Sequence, residues 1–280
     1  MLLKKWFYFI FVFFVSKADS VFVSPAYYFT NGDYSTGQSS TSSSYYNTLG
    51  LAKNSFVTLH FDDLNIDANT WEYNQKIYLF NFQQNYFPYF LKLNYGNIVG
   101  EFNFKPTTDF DYKSFTYKDK SKLYNAEITF YNNLFNYGIN FTRIFVEGIL
   151  STDSLRKQNV NQINLKIENY FNSQIFYSVK PSYNILKDGR KEFSTSIKAQ
   201  YFFNNKILFS VGGFIGKRSY YFDSDALTLF NQNETQKSQI YYQAEYFYDK
   251  IKFFAMYQTT DFGNYKINYL TAGIKLSGFF

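Results

Sequence analysis

Between residues 21 and 280, apolar and polar residues alternate with a period of two, and no stretch keeps the 3.6-residue period of an amphipathic helix. Ile163, Leu165 and Ile167 oppose Gln162, Asn164, Lys166 and Glu168. Phe193, Thr195, Ile197, Ala199 and Tyr201 oppose Ser194, Ser196, Lys198 and Gln200. Ile251, Phe253, Ala255 and Tyr257 oppose Lys252, Phe254, Met256 and Gln258. Segments this rich in aromatic and β-branched residues are strands. The same reading along the chain predicts 14 of them, at 21–31, 45–53, 56–64, 71–83, 88–101, 122–131, 135–146, 161–171, 174–185, 192–203, 207–218, 239–248, 251–259 and 267–280, with 12 as the alternative count. A bulge or register change is expected between Gly96 and Gly100, where the apolar set moves from Leu91, Leu93 and Tyr95 to Phe102 and Phe104.

An all-β chain of this kind forms a sandwich, a soluble barrel or a membrane barrel, and alternation alone does not choose among them. The connections do. Every second join is short, as at Asn172-Ser173, Asn204-Asn205-Lys206, Asp249-Lys250 and Asn132-Asn133-Leu134, while those between run longer and polar, at 35–44, 65–70, 105–121, 149–159, 186–191, 219–238 and 260–266. Short turns at one end and long loops at the other mark a membrane barrel. Aromatic pairs flank the short turns: Phe171 and Tyr177, Phe203 and Phe209, Tyr248 and Phe253, Phe130 and Phe135. Rings so placed form half of an interfacial girdle. Strand lengths of about 9–12 residues for most of these segments also match the span needed to cross hydrocarbon at a tilt.

The first 20 residues read as an export signal. Lys4 and Lys5 precede the apolar run from Trp6 to Val15, and small residues follow for cleavage after Ala18 or Ser20. The run is too short to span a bilayer as a helix. Cleavage lowers the formal charge from +6 to +4, and the remaining basic residues form no run that would track phosphates, so nucleic-acid binding is excluded. With no cysteine and one histidine, thiolate metal sites, a disulfide framework and a cysteine nucleophile are excluded too. No metal or cofactor is expected.

Leu270, Ala272, Ile274, Leu276, Gly278 and Phe280 line one face of the last strand, which ends on phenylalanine. This segment resembles the C-terminal recognition strand of Gram-negative outer-membrane β-barrels, with Gly278 where a bulkier apolar residue is common. The resemblance implies a closed, up-and-down transmembrane barrel at 21–280, docking on the barrel-assembly machinery through Leu276, Gly278 and Phe280. The layout also resembles the monomeric porins, some of which have 14 strands; no motif assigns a subfamily.

On this register the lumen-facing set is His60, Asp62, Lys76, Lys92, Glu127, Lys166, Glu168, Lys180, Lys198, Glu245, Lys252 and Lys275, seven lysines against four carboxylates. Charges at membrane depth require water, so the set implies a hydrated interior. The expected function is a pore for passive diffusion of small hydrophilic solutes with mild anion preference. Its alternatives are charges that pair across the lumen and plug it, a non-conducting structural or adhesive barrel, and a soluble exported β-sandwich. His60 with Asp62 is the single candidate for acid–base chemistry, without a nucleophile motif beside it, and the chain is expected not to be an enzyme. Asp223 and Asp225, with Asp-x-Asp spacing in the longest loop, are expected to be solvated loop acids lacking the remaining ligands of a calcium site. In the same loop Ala226-Leu227-Thr228-Leu229-Phe230 either folds into the barrel mouth or packs on its rim.

Overall fold

A computed structural model describes residues 21–52, 54–104, 116–132, 135–150 and 155–279. The expected export signal, with its expected cleavage after Ala18 or Ser20, and the terminal Phe280 lie outside the described residues.

The wall is built from β1 (Phe22–Tyr34), β2 (Ser39–Ala52), β3 (Ser55–Ala68), β4 (Trp71–Tyr86), β5 (Tyr89–Phe104), β6 (Thr116–Tyr131), β7 (Asn136–Leu150), β8 (Leu155–Tyr170), β9 (Ile175–Leu186), β10 (Lys191–Phe203) and β11 (Ile207–Arg218). Two short strands, β12 (Tyr221–Asp223) and β13 (Thr228–Phe230), form a separate hairpin. The wall resumes with β14 (Gln236–Tyr248), β15 (Ile251–Asp261) and β16 (Lys266–Leu276), the last continued by β17 (Gly278–Phe279). Each wall strand pairs antiparallel with its neighbour, and β16 pairs with β1 from Ala26↔Lys275 to Tyr34↔Ile267, closing a 14-stranded barrel. A single closed sheet excludes the sandwich. Closure also removes the strand edges that an open sheet would leave unpaired.

Alternation sorts the side chains cleanly. Large apolar residues such as Leu91, Leu93, Tyr95, Ile139, Phe141, Ile163, Leu165, Tyr201, Phe209, Tyr242 and Leu270 point outward and are exposed. Apolar cover continuous over the outside of a barrel suits hydrocarbon and not water. Near the short turns the belt ends on Tyr86, Phe87, Tyr170, Phe171, Phe203 and Tyr248. At mid-height on β1–β7 a second aromatic tier runs through Tyr27, Tyr45, Phe61 and Tyr78 at ring separations of 4.8, 6.3 and 5.2 Å, and then through Tyr95, Tyr124 and Phe145 at 5.5 and 6.1 Å.

The strands are longer than their apolar cores, because ladder hydrogen bonds continue through polar residues. Ser39–Ser44 pairs with β1 and β3 throughout, so the join from β1 to β2 shrinks to 35–38, and that from β3 to β4 to 69–70. The expected sorting of long and short connections is therefore weaker than the sequence suggests. Among the described joins only 219–235 is long; strands extend into the expected 105–121 and 149–159 joins, of which 105–115 and 151–154 lie outside the described residues.

The expected bulge between Gly96 and Gly100 is absent. β4 and β5 stay in register from Trp71↔Phe104 to Tyr86↔Tyr89. Gly96 serves packing instead: a Cβ there would lie 2.5 Å from Leu79 and 3.2 Å from Leu123, both buried in the lumen. The ladder weakens at prolines, which have no N–H to give. The β8–β9 pairing skips from Asn164↔Ser182 to Ile167↔Val179 around Pro181. Pro25 sits where the closing seam passes from β16 to β17, and there the Ser24 hydroxyl donates to the Leu276 carbonyl at 2.8 Å.

Candidate functional site: a hairpin seated in the lumen

The inner face of β4–β8 is layered. Below a polar rim that carries Gln75, Asp119 and Ser121 at the long-loop end, Ile77, Leu79, Ile98, Leu123, Ile144, Val146 and Val160 form an aliphatic patch. Below it a ladder of amides crosses five strands. Asn81 donates to Asn94 at 2.8 Å, Asn94 to Asn125 at 2.6 Å, Asn125 to Asn140 at 2.8 Å, and Asn164 to Asn140 at 3.2 Å. Below that stand the charges of Lys92, Glu127, Lys166 and, on β9, Lys180.

The 219–235 loop enters the barrel and covers these layers in turn. At the rim the Ser219 hydroxyl donates to Glu192 at 2.8 Å, and Asn231 accepts from Ser121 at 3.0 Å. In the middle Tyr220, Phe222 and Leu229 pack on the aliphatic patch, with Phe222 wholly buried. Gln162 donates to the Phe222 carbonyl at 2.8 Å and accepts from its N–H at 3.0 Å, as a neighbouring strand would. At the tip Asp225 contacts Lys92 at 2.5 Å, Lys180 at 2.9 Å and Lys166 at 3.3 Å, while Asp223 contacts Lys180 at 2.9 Å. Ser224 donates to Glu127 at 2.5 Å and accepts from Asn140 at 3.0 Å. Glu127 also pairs with Lys166 at 2.5 Å, and Lys166 lies 3.8 Å from Glu168. The void left between tip and wall is about 10 Å³, barely one water.

Two hairpin residues are held in left-handed backbone, Tyr220 at φ 48° and Leu227 at φ 51°. That conformation costs a non-glycine residue about 1–2 kcal/mol, so the surrounding contacts must impose it. Asp223 and Asp225 are thus not solvated loop acids. Burial pushes their carboxyls up, but Lys180 for both, with Lys92 and Lys166 for Asp225, holds them below the ordinary carboxylate value.

The opposite half of the lumen is different. On β10, β14, β15 and β16 the inward Lys198, Gln200, Gln243, Lys252, Met256 and Lys275 stay half-exposed. Glu245 is buried there and accepts from Lys252 at 2.8 Å. His60, on the inner face of β3, lies flat on Tyr46 at 4.0 Å; neither ring nitrogen makes a well-formed hydrogen bond, although the Leu227 main chain lies within reach. Asp62 accepts from Ser42 and Ser44 at 2.5 and 2.6 Å, not from His60.

Lys76 is a correction. It sits on the outer face, 54% exposed and 4.0 Å from Asp63. The stretch Lys76-Ile77-Tyr78-Leu79-Phe80 is apolar at both parities, so alternation does not orient it. Ile77 and Leu79 take the inside because the hairpin packs there. The lysine excess of the lumen also disappears, since Asp119, Glu192, Asp223 and Asp225 add carboxylates within the barrel; the expected anion preference loses its basis. At the C-terminus Leu276 faces outward and Gly278 pairs with Val23.

No family model matches the sequence, and no curated protein is detectably related to it. Solved structures share the fold. The chain is similar to the Pseudomonas putida toluene transporter TodX, with 7% identity and a TM-score of 0.56, over 92% of this chain and 88% of that one. It is similar to the CymD monoaromatic hydrocarbon channel, with 8% identity and a TM-score of 0.59, over 95% and 90%. A Pseudomonas aeruginosa FadL homologue matches at 6% identity with a TM-score of 0.57, over 92% and 90%.

Proposed function

We propose that this chain is an outer-membrane transport barrel that passes small polar solutes along one side of its lumen, with the 219–235 hairpin as the constriction. The reading is carried by the contrast between the two inner walls. On β4–β8 the inner face is sealed by the hairpin, whereas Lys198, Gln200, Gln243, Lys252 and Lys275 opposite keep contact with solvent. Lysines and glutamines outnumber Phe254 and Met256 on that lining, so it suits hydrated solutes. The fold neighbours named for toluene and monoaromatic hydrocarbons support a transport role. A hydrocarbon would need an apolar path, and here the inner aliphatic patch lies beneath Phe222 and Leu229. The apolar belt and the outward Leu276 of the last strand support lipid and the barrel-assembly machinery as partners.

One observation favours a second reading, a non-conducting structural barrel: the hairpin fills its half of the lumen down to the charge layer. Planar-bilayer recording separates the two. The intact chain is expected to conduct in small steps, and a chain with 220–234 replaced by a short Gly-Ser turn in large ones. If neither conducts, the transport reading fails.

A further inference from the structure

The outer face of β6 and β7 carries cations that transport does not use. At and above the mid-height tier of Tyr95, Tyr124 and Phe145, the wall bears Lys120, Lys122 and Arg143, all exposed. Register sets them side by side. Lys122 lies opposite Asn97 on β5 and Phe145 on β7, Arg143 lies opposite Tyr124, and Lys120 stands one outward position above Lys122. The Arg143 guanidinium rests over the Phe145 ring, 4.8 Å from its centre, and Phe145 is the residue in register with Lys122.

On β3–β8 the other outward cations have acidic partners: Lys76 with Asp63, Lys118 with Glu101 at 3.0 Å, and Lys157 with Glu147 at 3.4 Å. Glu147 faces Lys120 in register, yet its carboxylate goes to Lys157. Lys120, Lys122 and Arg143 make no ion pair among the described residues.

The depth of the patch identifies its environment. Below it the outer wall is Tyr124, Ala126, Ile128 and Phe130 on β6, and above it Lys118; it therefore lies where hydrocarbon gives way to headgroups. We propose that Lys120, Lys122 and Arg143 bind the phosphomonoester groups of a bisphosphorylated glycolipid headgroup in the leaflet at the long-loop end. Arg143 is suited to take a phosphate through two parallel N–H···O bonds, with the lysines as point charges beside it. A zwitterionic headgroup fits less well, because its ammonium would meet three unneutralised cations. The proposal rests on the outer-membrane reading but not on conduction.

The test uses the full chain, folded in nonionic detergent and titrated with lipid A, with dephosphorylated lipid A and with inorganic phosphate, occupancy being read by native mass spectrometry. Lipid A is expected to bind at least tenfold more tightly than its dephosphorylated form. The triple variant Lys120→Gln, Lys122→Gln, Arg143→Gln should lose at least that factor while keeping the heat-dependent gel mobility of a folded barrel. Equal binding by variant and parent, or by the two lipid forms, overturns the proposal. So does full competition by millimolar inorganic phosphate, which would make this a free-anion site. A chain that stays monodisperse without detergent would instead overturn the membrane reading, a distinct outcome.

Discussion

Asp225 is the single side chain that ties the hairpin tip to three wall lysines, so Asp225→Ala is the most direct test of how the hairpin is seated. Removing one partner of a fully buried ion pair costs about 3–5 kcal/mol, and an exposed pair is worth about 0–1 kcal/mol. Asp225 lies between these limits, 29% exposed against lysines that are mostly buried. Glu127 stays within reach of Lys92 and Lys166, and Asp223 within reach of Lys180, so the lysines are not left bare. An intermediate cost of about 2 kcal/mol follows, which at about 1.4 kcal/mol per decade is roughly thirtyfold in the ratio of displaced to seated hairpin. Phe222 and Leu229 stay docked, each stabilising the seated form by about 1.5–3 kcal/mol. The variant should therefore open more often without staying open. Single-channel recording in planar bilayers reads this as a tenfold or greater rise in open events, with Asp225→Glu close to the parent. If Asp225→Ala matches the parent while the hairpin-deleted chain conducts freely, the ion pairs do not hold the hairpin and the reasoning fails.

The same anchors set a pH dependence: with the Asp223 and Asp225 carboxyls depressed below the ordinary value of 3.8, their stabilisation is complete above that value and lost as pH falls beneath it. Open-event frequency should be flat from about pH 8 to 5 and climb only in stronger acid; a rise near neutrality would contradict this assignment. Lys166→Ala, which leaves Glu127 with Lys92 at 3.7 Å and the Ser224 hydroxyl, should lower the urea midpoint by the equivalent of about 2 kcal/mol, between the exposed and fully buried limits. Lys76→Ala, on the outer surface, should stay within about 0.5 kcal/mol in the same urea titration. Leu93→Lys, at mid-belt, should cost about 2–4 kcal/mol in lipid vesicles, and a cost near zero would mean that the belt faces water.

The strand positions were legible because a barrel wall apolar on one face and polar on the other makes every second residue apolar, as in Ile163 to Ile167 and Phe193 to Tyr201. Legibility failed where a third surface intervened. Around Lys76 the inner parity is apolar because it meets the hairpin, so both faces look greasy. The hairpin was marked by Ala226 to Phe230, an apolar run in a polar loop, but whether it sat inside or on the rim depended on partners scattered over β5–β9. No local pattern announces that Asp225 meets Lys92, 133 positions away. The serines of β2 hid the length of their strand, since ladder bonds are indifferent to polarity.

The chain of asparagines has a consequence for how the barrel closes. In–out alternation forbids a slip of one residue between neighbouring strands but tolerates a slip of two, which keeps each face intact. Such a slip between β5 and β6 would set the Asn94 amide against Leu123 or Glu127 in place of Asn125, stranding buried donors and acceptors along the row. The amides thus act as a vernier, rejecting during assembly the misalignment that oil-and-water sorting alone would let through.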